Sequence, residues 1–466
     1  MKDVINFLWI IILSMNMLTA QNWHKVTAGS EFSLGIKEDG TLWSWGFNGD
    51  GQLGVLTEYS YEHSPIQIGV DMDWKMVSAG GAHVLALKND GTLWGWGLNN
   101  YGQVEDTIVS NFFAPEQIGS DTNWVLVETC FGSSFAMKRD GTLWAWGFNQ
   151  NGELGINSLT QPSHPTQVGV GKWKSISSGG FFSMGIQEDN TLWHWGPHFL
   201  YSEEEGYTIT LHLIPTQIDT DTDWVSVAVG MEYAIALKKD GSLWVYGDNT
   251  NGQLGYADTV FANTFFQIVP EKKWVSIEAG SVYAFAIDEN NVLYGWGNNL
   301  YGQLGFYTGN NVTIPMPVSV HSIVQISAAK GILFHGRIYG LHTLMLDSNR
   351  EMCVAGANYV GQLGTGTIFT GGTERFICSY TNIISADENI GKDIIVFPNP
   401  ARDCFFVTNV QNANIILYDL LGKEICSQYS KEEQATFYTE NISAGLYILK
   451  IQKEREIVSR KIQITK

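Results

Sequence analysis

The chain has 466 residues, of which 44% are hydrophobic and only 16% are charged, and this balance excludes a disordered protein. The 50 Gly, 17 Trp and 13% aromatic residues indicate many tight turns between short strands rather than a helical protein. With 47 acidic against 27 basic residues the formal net charge is −20, which disfavours binding to a nucleic-acid backbone or to an anionic membrane.

The first 20 residues have the features of a secretory signal peptide. Lys2 supplies a basic start, and residues 7–20 are largely apolar and end in small residues. These roughly 14 residues are too few to span a bilayer but fit the apolar region of a signal. We expect cleavage between Ala20 and Gln21. No later segment is long and apolar enough to span a membrane, so we predict a mature chain without a transmembrane segment.

A unit of about 50 residues then repeats along the chain. Six units open with a Trp at intervals of 49 to 51 residues: Trp23, Trp74, Trp124, Trp173, Trp224 and Trp274. A seventh, degenerate unit opens near Ile323. Such a period predicts that each unit is one structural element that buries its surface against its neighbours.

Each unit contains a tight turn between two apolar strands, as in IKEDGTLWSWG and MKRDGTLWAWG. Asp-Gly favours such a hairpin because both residues tolerate a positive φ. In TLWxWG both faces of the strand are apolar, which indicates a sheet covered on both sides. Seven units of about four strands each therefore predict a seven-bladed β-propeller. We expect the ring to close by a shared sheet, in which the residues after Trp23 pair with strands near 376–383.

The units share further residues outside the turn. Unit two has Trp74, Val77, Gly80 and His83 followed by ALKNDGTLWGWG, and Asn-x-x-Gly-Gln-Leu-Gly recurs at 48–54, 249–255, 299–305 and 358–364. This repeat resembles that of the regulator-of-chromosome-condensation family. The resemblance covers about 360 residues. It implies the propeller fold but no activity, because this fold hosts several unrelated functions. A plant ultraviolet-B receptor of this family is also rich in Trp. The Trp residues of this chain lie at the family's core positions, so we predict that they pack in the core rather than sense light.

The end of the chain has a different character. After Asp387 the Trp residues stop, and the pieces IIVFPNPARDCFFV, NIILYDLLGKEI and GLYILKI predict a small immunoglobulin-like β-sandwich. The order of these pieces resembles the C-terminal sorting domain of the type IX (Por) secretion system. The matching residues include Pro398, Asn399, Pro400, Gly422, Gly445 and Tyr447. The resemblance implies the type IX secretion machinery as a partner, removal of the tail, and a product that is secreted or attached to surface lipopolysaccharide.

We therefore predict an all-β chain, a seven-bladed β-propeller followed by a small immunoglobulin-like β-sandwich. The predicted parts are a signal peptide at 1–20, the propeller at 21–386, a linker at 387–392 and the sorting domain at 393–466. Five cysteines without CxxC spacing indicate neither a disulfide scaffold nor a zinc site, and buried free thiols are expected. Pairing of Cys404 with Cys426 is the alternative.

Departures from the repeat mark the candidate binding residues, because loops carry binding in propellers. Unit one has a tyrosine-rich loop, unit four replaces the GQLG turn by PHFLYSEEEGYTITLHL, and unit seven gains about ten residues, AKGILFHGRIYG. The candidate partner-binding residues are Tyr59, Tyr61, Phe199, Tyr201, Glu203, Glu204, Glu205 and Tyr207. Tyrosines would supply contact area, and carboxylates would select a basic partner or bind sugar hydroxyls. A solvated acidic loop is the alternative.

No motif indicates a catalytic, cofactor or metal site. GxSxG, HExxH and a phosphate-binding loop are absent from the sequence, and the Asp of each Asp-Gly is explained by turn chemistry. His83 and His342 occupy a slot filled elsewhere by Phe or Tyr, which predicts packing. NGDGQLG at 48–54 lacks the further carboxylates of a calcium loop.

Two functional hypotheses remain. The first is an exported adhesin or scavenging protein that recognises a protein or a glycan through one propeller face. The second is a secreted inhibitor of β-lactamases or proteases. An enzyme that uses acidic residues on the propeller face is disfavoured. Nucleotide exchange on a nuclear GTPase, the activity of the family's namesake, conflicts with export.

Overall fold

The computed structural model describes residues 22–105, 109–257, 260–320, 322–331, 333–334, 337–338, 340–369 and 371–378 of the first compact unit, Met1–Ser379. In the second unit, Tyr380–Lys466, it describes residues 396–397, 404–408, 410–419, 423–432, 434–453 and 456–464. These residues form strands and turns without an α-helix. No helix in this part of the chain is therefore long and apolar enough to span a membrane.

The first unit is a ring of seven four-stranded antiparallel sheets. Blades 1 to 4 consist of β1 (Trp23–Ala28), β2 (Phe32–Lys37), β3 (Leu42–Phe47), β4 (Tyr61–Gln67); β5 (Trp74–Ala79), β6 (His83–Lys88), β7 (Leu93–Leu98), β8 (Asn111–Gln117); β9 (Trp124–Thr129), β10 (Ser133–Lys138), β11 (Leu143–Gly147), β12 (Thr166–Gln167); and β13 (Trp173–Ser178), β14 (Ser183–Gln187), β15 (Leu192–Ser202), β16 (Gly206–Gln217). In each blade the strands follow one another in chain order across the sheet.

Blades 5 to 7 continue the ring. They consist of β17 (Trp224–Val229), β18 (Tyr233–Lys238), β19 (Leu243–Asp248), β20 (Phe261–Ile268); β21 (Trp274–Ala279), β22 (Tyr283–Asp288), β23 (Leu293–Gly297), β24 (Val312–Pro317); and β25 (Ile323–Ala328), β28 (His342–Asp347), β29 (Met352–Gly356), β30 (Ile377–Cys378). A separate hairpin, β26 (Leu333–Phe334) and β27 (Arg337–Ile338), lies in the unit-seven insertion.

The Asp-Gly-Thr-Leu-Trp motif is a hydrogen-bonded turn. In blade 1 the hydroxyl of Thr41 donates to Asp39 Oδ1 over 2.6 Å and accepts the indole N–H of Trp43 over 2.9 Å, while Gly40 has a φ of 80°. The hydrogen bonds from Thr41 lower the pKa of Asp39. The same contacts recur at Asp90 and Asp140, so turn chemistry accounts for these acids.

The second Trp of the motif joins neighbouring blades. Trp45, Trp96 and Trp296 are fully buried, and each donates its indole N–H to the backbone carbonyl of a Gln in the preceding blade over 2.9 to 3.0 Å. The acceptors are Gln362, Gln52 and Gln253. The core of the ring therefore consists of apolar layers between blades, as the two apolar faces of the TLWxWG strand indicate.

The prediction that the two ends of the propeller share a sheet is wrong. Strand β1, which begins at Trp23, belongs to the blade formed by β1 to β4, and the last strand, β30 (Ile377–Cys378), belongs to the blade of β25, β28 and β29. Each repeat supplies all four strands of its own blade. The ring closes by contacts between blades, including the backbone hydrogen bond from Trp23 N to Arg350 O and two hydrogen bonds between the Gln325 amide and Val26.

The expectation of free thiols is wrong for one pair of cysteines. Cys353 of β29 and Cys378 of β30 form a disulfide, and they face each other in the antiparallel ladder. A short last strand brings together two residues that are 25 apart in the sequence. Cys130 is a buried free thiol, and Cys426 is also free, so Cys426 does not pair with Cys404. Disulfides form in oxidising compartments, which agrees with an exported chain.

The second unit contains two antiparallel sheets. One consists of β31 (Val396–Phe397), β32 (Cys404–Thr408) and β35 (Gln434–Tyr438), and the other of β33 (Ala413–Asp419), β34 (Glu424–Ser430), β36 (Gly445–Lys453) and β37 (Glu456–Ile464). Phe405, Leu417 and Leu449 are fully buried in its core. The immunoglobulin-like topology remains a prediction, as does the boundary at 386/387, which lies outside the described residues.

Candidate functional site

The three irregular loops lie at the same end of the ring. Successive strands of a blade are antiparallel, so the connections between strands one and two and between strands three and four share one end, which we call the upper face. The unit-one loop and the blade-4 hairpin connect strands three and four, and the unit-seven insertion connects strands one and two. The Asp-Gly turns lie at the opposite end.

The unit-four departure is a long β-hairpin rather than a loop. Strands β15 and β16 extend the third and fourth strands of the blade, and Tyr201 pairs directly with Tyr207 across the ladder. The ladder ends at Ser202 and Gly206. Glu203, Glu204 and Glu205 form the exposed turn between these two strands, at the tip of what we call the blade-4 hairpin.

Contacts with blade 5 hold the tip of the hairpin. The amide of Asn263 on β20 makes two hydrogen bonds to the backbone of Tyr201, at 2.7 and 2.9 Å. The Tyr207 ring lies 5.1 Å from the Tyr201 ring and 5.6 Å from that of Phe261, and Tyr207 is still 50% exposed. Phe199 contacts Phe181 with ring centroids 6.5 Å apart. The hairpin therefore presents a fixed aromatic surface to solvent.

Two carboxylates missed in the sequence lie beside this aromatic surface. The pKa of Tyr207 is raised by burial and by the charges of Asp248 and Glu232. Burial and the charge of Asp248 raise the pKa of Glu232. Asp248 ends β19 and accepts a hydrogen bond from the Thr250 hydroxyl over 2.8 Å. The upper face near the hairpin thus combines exposed aromatic rings with negative charge.

Three histidines form a cluster at the base of the hairpin. The Nδ1 atoms of His194 and His212 lie 3.4 Å apart, and His198 lies with its ring centroid 5.2 to 5.4 Å from both. Burial lowers the pKa of His194 to about 3 and also lowers those of His198 and His212, so all three are neutral at pH 7. No group of three or more His, Cys, Asp or Glu in the described residues has the geometry of a metal site.

Strand β16 is the free edge of its sheet within the described residues. It is 12 residues long and pairs only with β15. Three of its apolar side chains, Ile209, Leu211 and Ile214, are exposed. A long edge strand with exposed apolar side chains is a template for pairing with another chain.

The other predicted residues do not join this cluster. Tyr59 is 65% exposed and Tyr61 lies at the edge of blade 1, where its ring centroid is 5.2 Å from that of His63. Blade 1 and blade 4 are separated by two blades in the ring, so the two groups are separate surfaces of the upper face. Ala20, Gln21, Pro398, Asn399, Pro400 and Gly422 lie outside the described residues.

Two sorting-domain residues are described. Gly445 begins β36, and Tyr447, two residues along the same strand, is buried. The Tyr447 hydroxyl donates to the Ser443 carbonyl over 2.8 Å. These contacts stabilise the fold of the tail and leave its recognition by the secretion machinery as a prediction.

The central channel contains a second polar region. Its wall is formed by the first strand of each blade, and it encloses a cavity of about 290 Å³. The charged residues of the cavity wall are Glu128, Glu278 and Lys330, and hydroxyl groups of Ser and Thr supply much of the rest. The two channel carboxylates could have been predicted from the sequence. Units three and six have Glu at a position where the other units have Thr27, Ser78, Ser177, Ala228 and Ser327.

Comparison with known proteins identifies both parts of the chain. Residues 39–87, 140–186 and 290–333 match the regulator of chromosome condensation (RCC1) repeat, and a second form of this repeat matches residues 23–52, 75–103, 224–253 and 274–303. Residues 395–465 match the secretion system C-terminal sorting domain. The chain contains RCC1 repeats and a secretion sorting tail. The tail indicates export by type IX secretion to the cell surface or the extracellular space.

Two curated relatives match about half of the chain. The ultraviolet-B receptor UVR8 of Arabidopsis thaliana is 28% identical over 247 residues, which cover 51% of this chain and 56% of the receptor. The mitochondrial RCC1 domain-containing protein RUG3 of the same plant is 26% identical over 237 residues, 48% of this chain and 53% of RUG3. The chain thus spans only about half the length of these relatives.

Solved structures show the same fold. Prp20p of Saccharomyces cerevisiae, described with its binding to Gsp1p and histones, superposes with a TM-score of 0.62 at 17% identity, over 81% of this chain and 90% of Prp20p. Human WBSCR16 superposes with a TM-score of 0.60 at 22% identity, over 66% of this chain and 85% of WBSCR16. At such low identity the likeness concerns the propeller fold alone.

Proposed function

We propose that this protein is an exported binding protein, an adhesin or scavenging module, that recognises a protein or glycan with its upper face. The blade-4 hairpin carries the proposal. It departs from the repeat, it is held on blade 5 by Asn263, and it exposes Tyr207 beside the acidic turn at 203–205. The repeated blades form a rigid scaffold that positions such a loop, as in other propellers.

The chemistry of the hairpin favours a partner with basic or hydroxyl-rich groups. Aromatic rings supply rigid contact area at a low entropic cost, and carboxylates accept hydrogen bonds from ammonium, guanidinium or sugar hydroxyl groups. The exposed edge of β16 adds main-chain donors and acceptors. The acidic composition of the chain acts in the same direction, since it repels anionic partners.

The experiment compares the mature propeller with a variant in which residues 199–207 are replaced by a short Gly-Ser turn. Both are immobilised and exposed to outer-surface proteins and to surface polysaccharides. Capture that is lost with the hairpin supports the proposal. Equal capture by both forms, or capture by neither, contradicts it.

A point variant avoids altering the hairpin backbone. Ile209→Ser changes an exposed side chain of β16, and we expect it to weaken capture. The matched control is Val170→Ser, because Val170 is 93% exposed and follows strand four of blade 3, at the opposite end of the ring. Equal loss in both variants would indicate non-specific adhesion.

An inhibitor of secreted enzymes is the second candidate. The observation that favours it is the projecting two-stranded tip, which ends in three exposed carboxylates at 203–205. A fixed hairpin of this kind fits into a concave active site at a low cost in conformational entropy. A panel of β-lactamases and proteases assayed with the wild-type chain and the hairpin variant tests it, and unchanged enzyme rates count against inhibition.

A further inference from the structure

The inner strands of the propeller are linked by side chains around the channel. At three of the joints between blades, the hydroxyl of the fifth residue of a blade's first strand accepts the backbone N–H of the sixth residue of the next blade's first strand. Ser78 Oγ accepts from Thr129 N, Ser177 Oγ from Val229 N, and Ser327 Oγ from Ala28 N, each over 3.0 Å. Each first strand is the inner edge of its sheet, so these bonds pair N–H groups that the sheet leaves open.

Glutamate takes this fifth position in two of the blades. In blade 3, Glu128 Oε1 accepts the N–H of Ser178 over 3.4 Å. In blade 6, Glu278 Oε1 accepts the N–H of Ala328 over 3.1 Å. Each Glu therefore links to the next blade as Ser does elsewhere, and it also brings a carboxylate into the channel.

The blade-3 carboxylate is part of an ammonium site that the chain fills itself. Lys330 extends from blade 7 across the channel and places Nζ 2.6 Å from Glu128 Oε1, 3.1 Å from the Ser178 carbonyl and 3.4 Å from Ser177 Oγ. The Lys330 and Glu128 side chains are only 17% and 21% exposed. A carboxylate, a carbonyl and a hydroxyl from two adjacent blades thus hold one ammonium group.

The repeat places the same set of groups once more, three blades further around the ring. Glu278 corresponds to Glu128, Ser327 corresponds to Ser177, and Ala328 corresponds to Ser178. Glu278, Ser327 and Ala328 all line the 290 Å³ cavity. The charges of Lys330 and Lys25 act on Glu278, but in the described part of the chain no Lys or Arg lies within ion-pair distance of its carboxylate.

We propose that Glu278, Ser327 and the Ala328 carbonyl form a second ammonium site in the channel, which binds a small ligand carrying a primary amine. The cavity has the volume of roughly ten water molecules at about 30 Å³ each, so it accommodates a small amine beside Lys330. Burial raises the pKa of Glu278 to about 7, and this effect outweighs the opposing charges of Lys330 and Lys25.

The test is the number of ammonium sites, measured with n-propylammonium as the probe. The full exported chain is titrated calorimetrically at pH 8, where the Glu278 carboxyl is ionised. We expect one site in the wild type and none in Glu278→Gln, whose amide oxygen can still accept the Ala328 N–H. Lys330→Met removes the internal ammonium group, and we expect two sites in this variant. The matched control Glu289→Gln changes an exposed glutamate on the same blade and keeps one site.

Two further probes separate an ammonium site from general attraction of cations. Tetramethylammonium has the charge but no N–H donors, and n-propanol has the chain length but no charge. We expect both to bind at least about tenfold more weakly than n-propylammonium, because each lacks either the N–H donors or the charge that the site recognises.

Several results would overturn the proposal. They are equal binding of the three probes, binding that survives in Glu278→Gln, and no binding to the wild type. If Lys330→Met does not fold, the comparison of Glu278→Gln with Glu289→Gln decides alone, after thermal melts have shown that both variants are folded. The site does not depend on the blade-4 hairpin, so failure of one proposal leaves the other intact.

Discussion

The disulfide between Cys353 and Cys378 gives a quantitative prediction. It joins the last two strands of blade 7, and the described residues of β30 make two ladder pairs with β29, Cys353 with Cys378 and Val354 with Ile377. We expect the double variant Cys353→Ser/Cys378→Ser to be less stable, because the cross-link restricts the unfolded chain and attaches a strand that is otherwise weakly held.

The magnitude follows from the length of the closed loop. For a separation of 25 residues, loss of loop entropy in the unfolded state amounts to about 3.5 kcal/mol at 25 °C. Unfolding entropy of roughly 2.1 cal/mol/K per residue over about 350 propeller residues converts this into a melting temperature lower by about 5 °C. Polar serines at two buried positions add to the loss.

Differential scanning calorimetry of the wild type and the double variant measures the shift. A reducing agent should lower the melting temperature of the wild type by a similar amount and leave the double variant unchanged. Cys426→Ser is the control, since Cys426 is a free thiol of the second unit. Equal melting temperatures of the wild type with and without reductant would refute the reasoning.

Two further predictions concern buried groups of the propeller. The pKa of His83 is about 3 in the folded protein and about 6.5 in the unfolded chain, so below pH 6.5 only the unfolded chain takes up the proton, and the free energy of unfolding falls by about 2 kcal/mol between pH 7 and pH 5. His83→Phe, which copies the Phe of units one and four, should remove this part of the pH dependence of the unfolding free energy measured by urea titration. Trp45→Phe removes the indole hydrogen bond to Gln362 between blades 1 and 7, and it should lower the free energy of unfolding measured in urea titrations by about 1–3 kcal/mol. The control Trp43→Phe should have a smaller effect, because the Trp43 indole donates its hydrogen bond within its own turn. An equal effect of the two Trp variants would show that the joint between blades does not depend on this bond.

The sequence predicts the blades because its signals are local. Asp39, Gly40 and Thr41 form the expected turn by contacts within three residues, and the period of about 50 residues follows directly from the Trp openers. The closure of the ring was predicted incorrectly, because strand content alone does not say which strand pairs with which. Once β1 to β4 form a complete blade, no place remains in it for Ile377 and Cys378.

The candidate site was only partly predictable for a similar reason. The pairing of Tyr201 with Tyr207 follows from a hairpin around the turn at 203–205, but Phe261 and Asn263 lie about 60 residues later and join through packing of adjacent blades. The histidine cluster was also missed. His194 occupies the variable position of TLWxWG, and only the long β15–β16 ladder brings His212 beside it.

The hydrogen bonds between blades repeat in the same arrangement around the ring. Trp45 and Trp96 donate to the preceding blade, and Ala28 N and Val229 N donate to side chains of the preceding blade as well. Other bonds run the opposite way, such as those from Ser30 N to Gly80 O and from Met231 N to Ser281 O. A ring opened between two blades therefore has two unlike ends, each with donors and acceptors that match those of the other. These ends are complementary between molecules as well as within one, so two opened chains can close on each other as an exchanged dimer. The covalent link in blade 7 opposes the detachment of its last strand, and an intact last blade favours closure within a single chain.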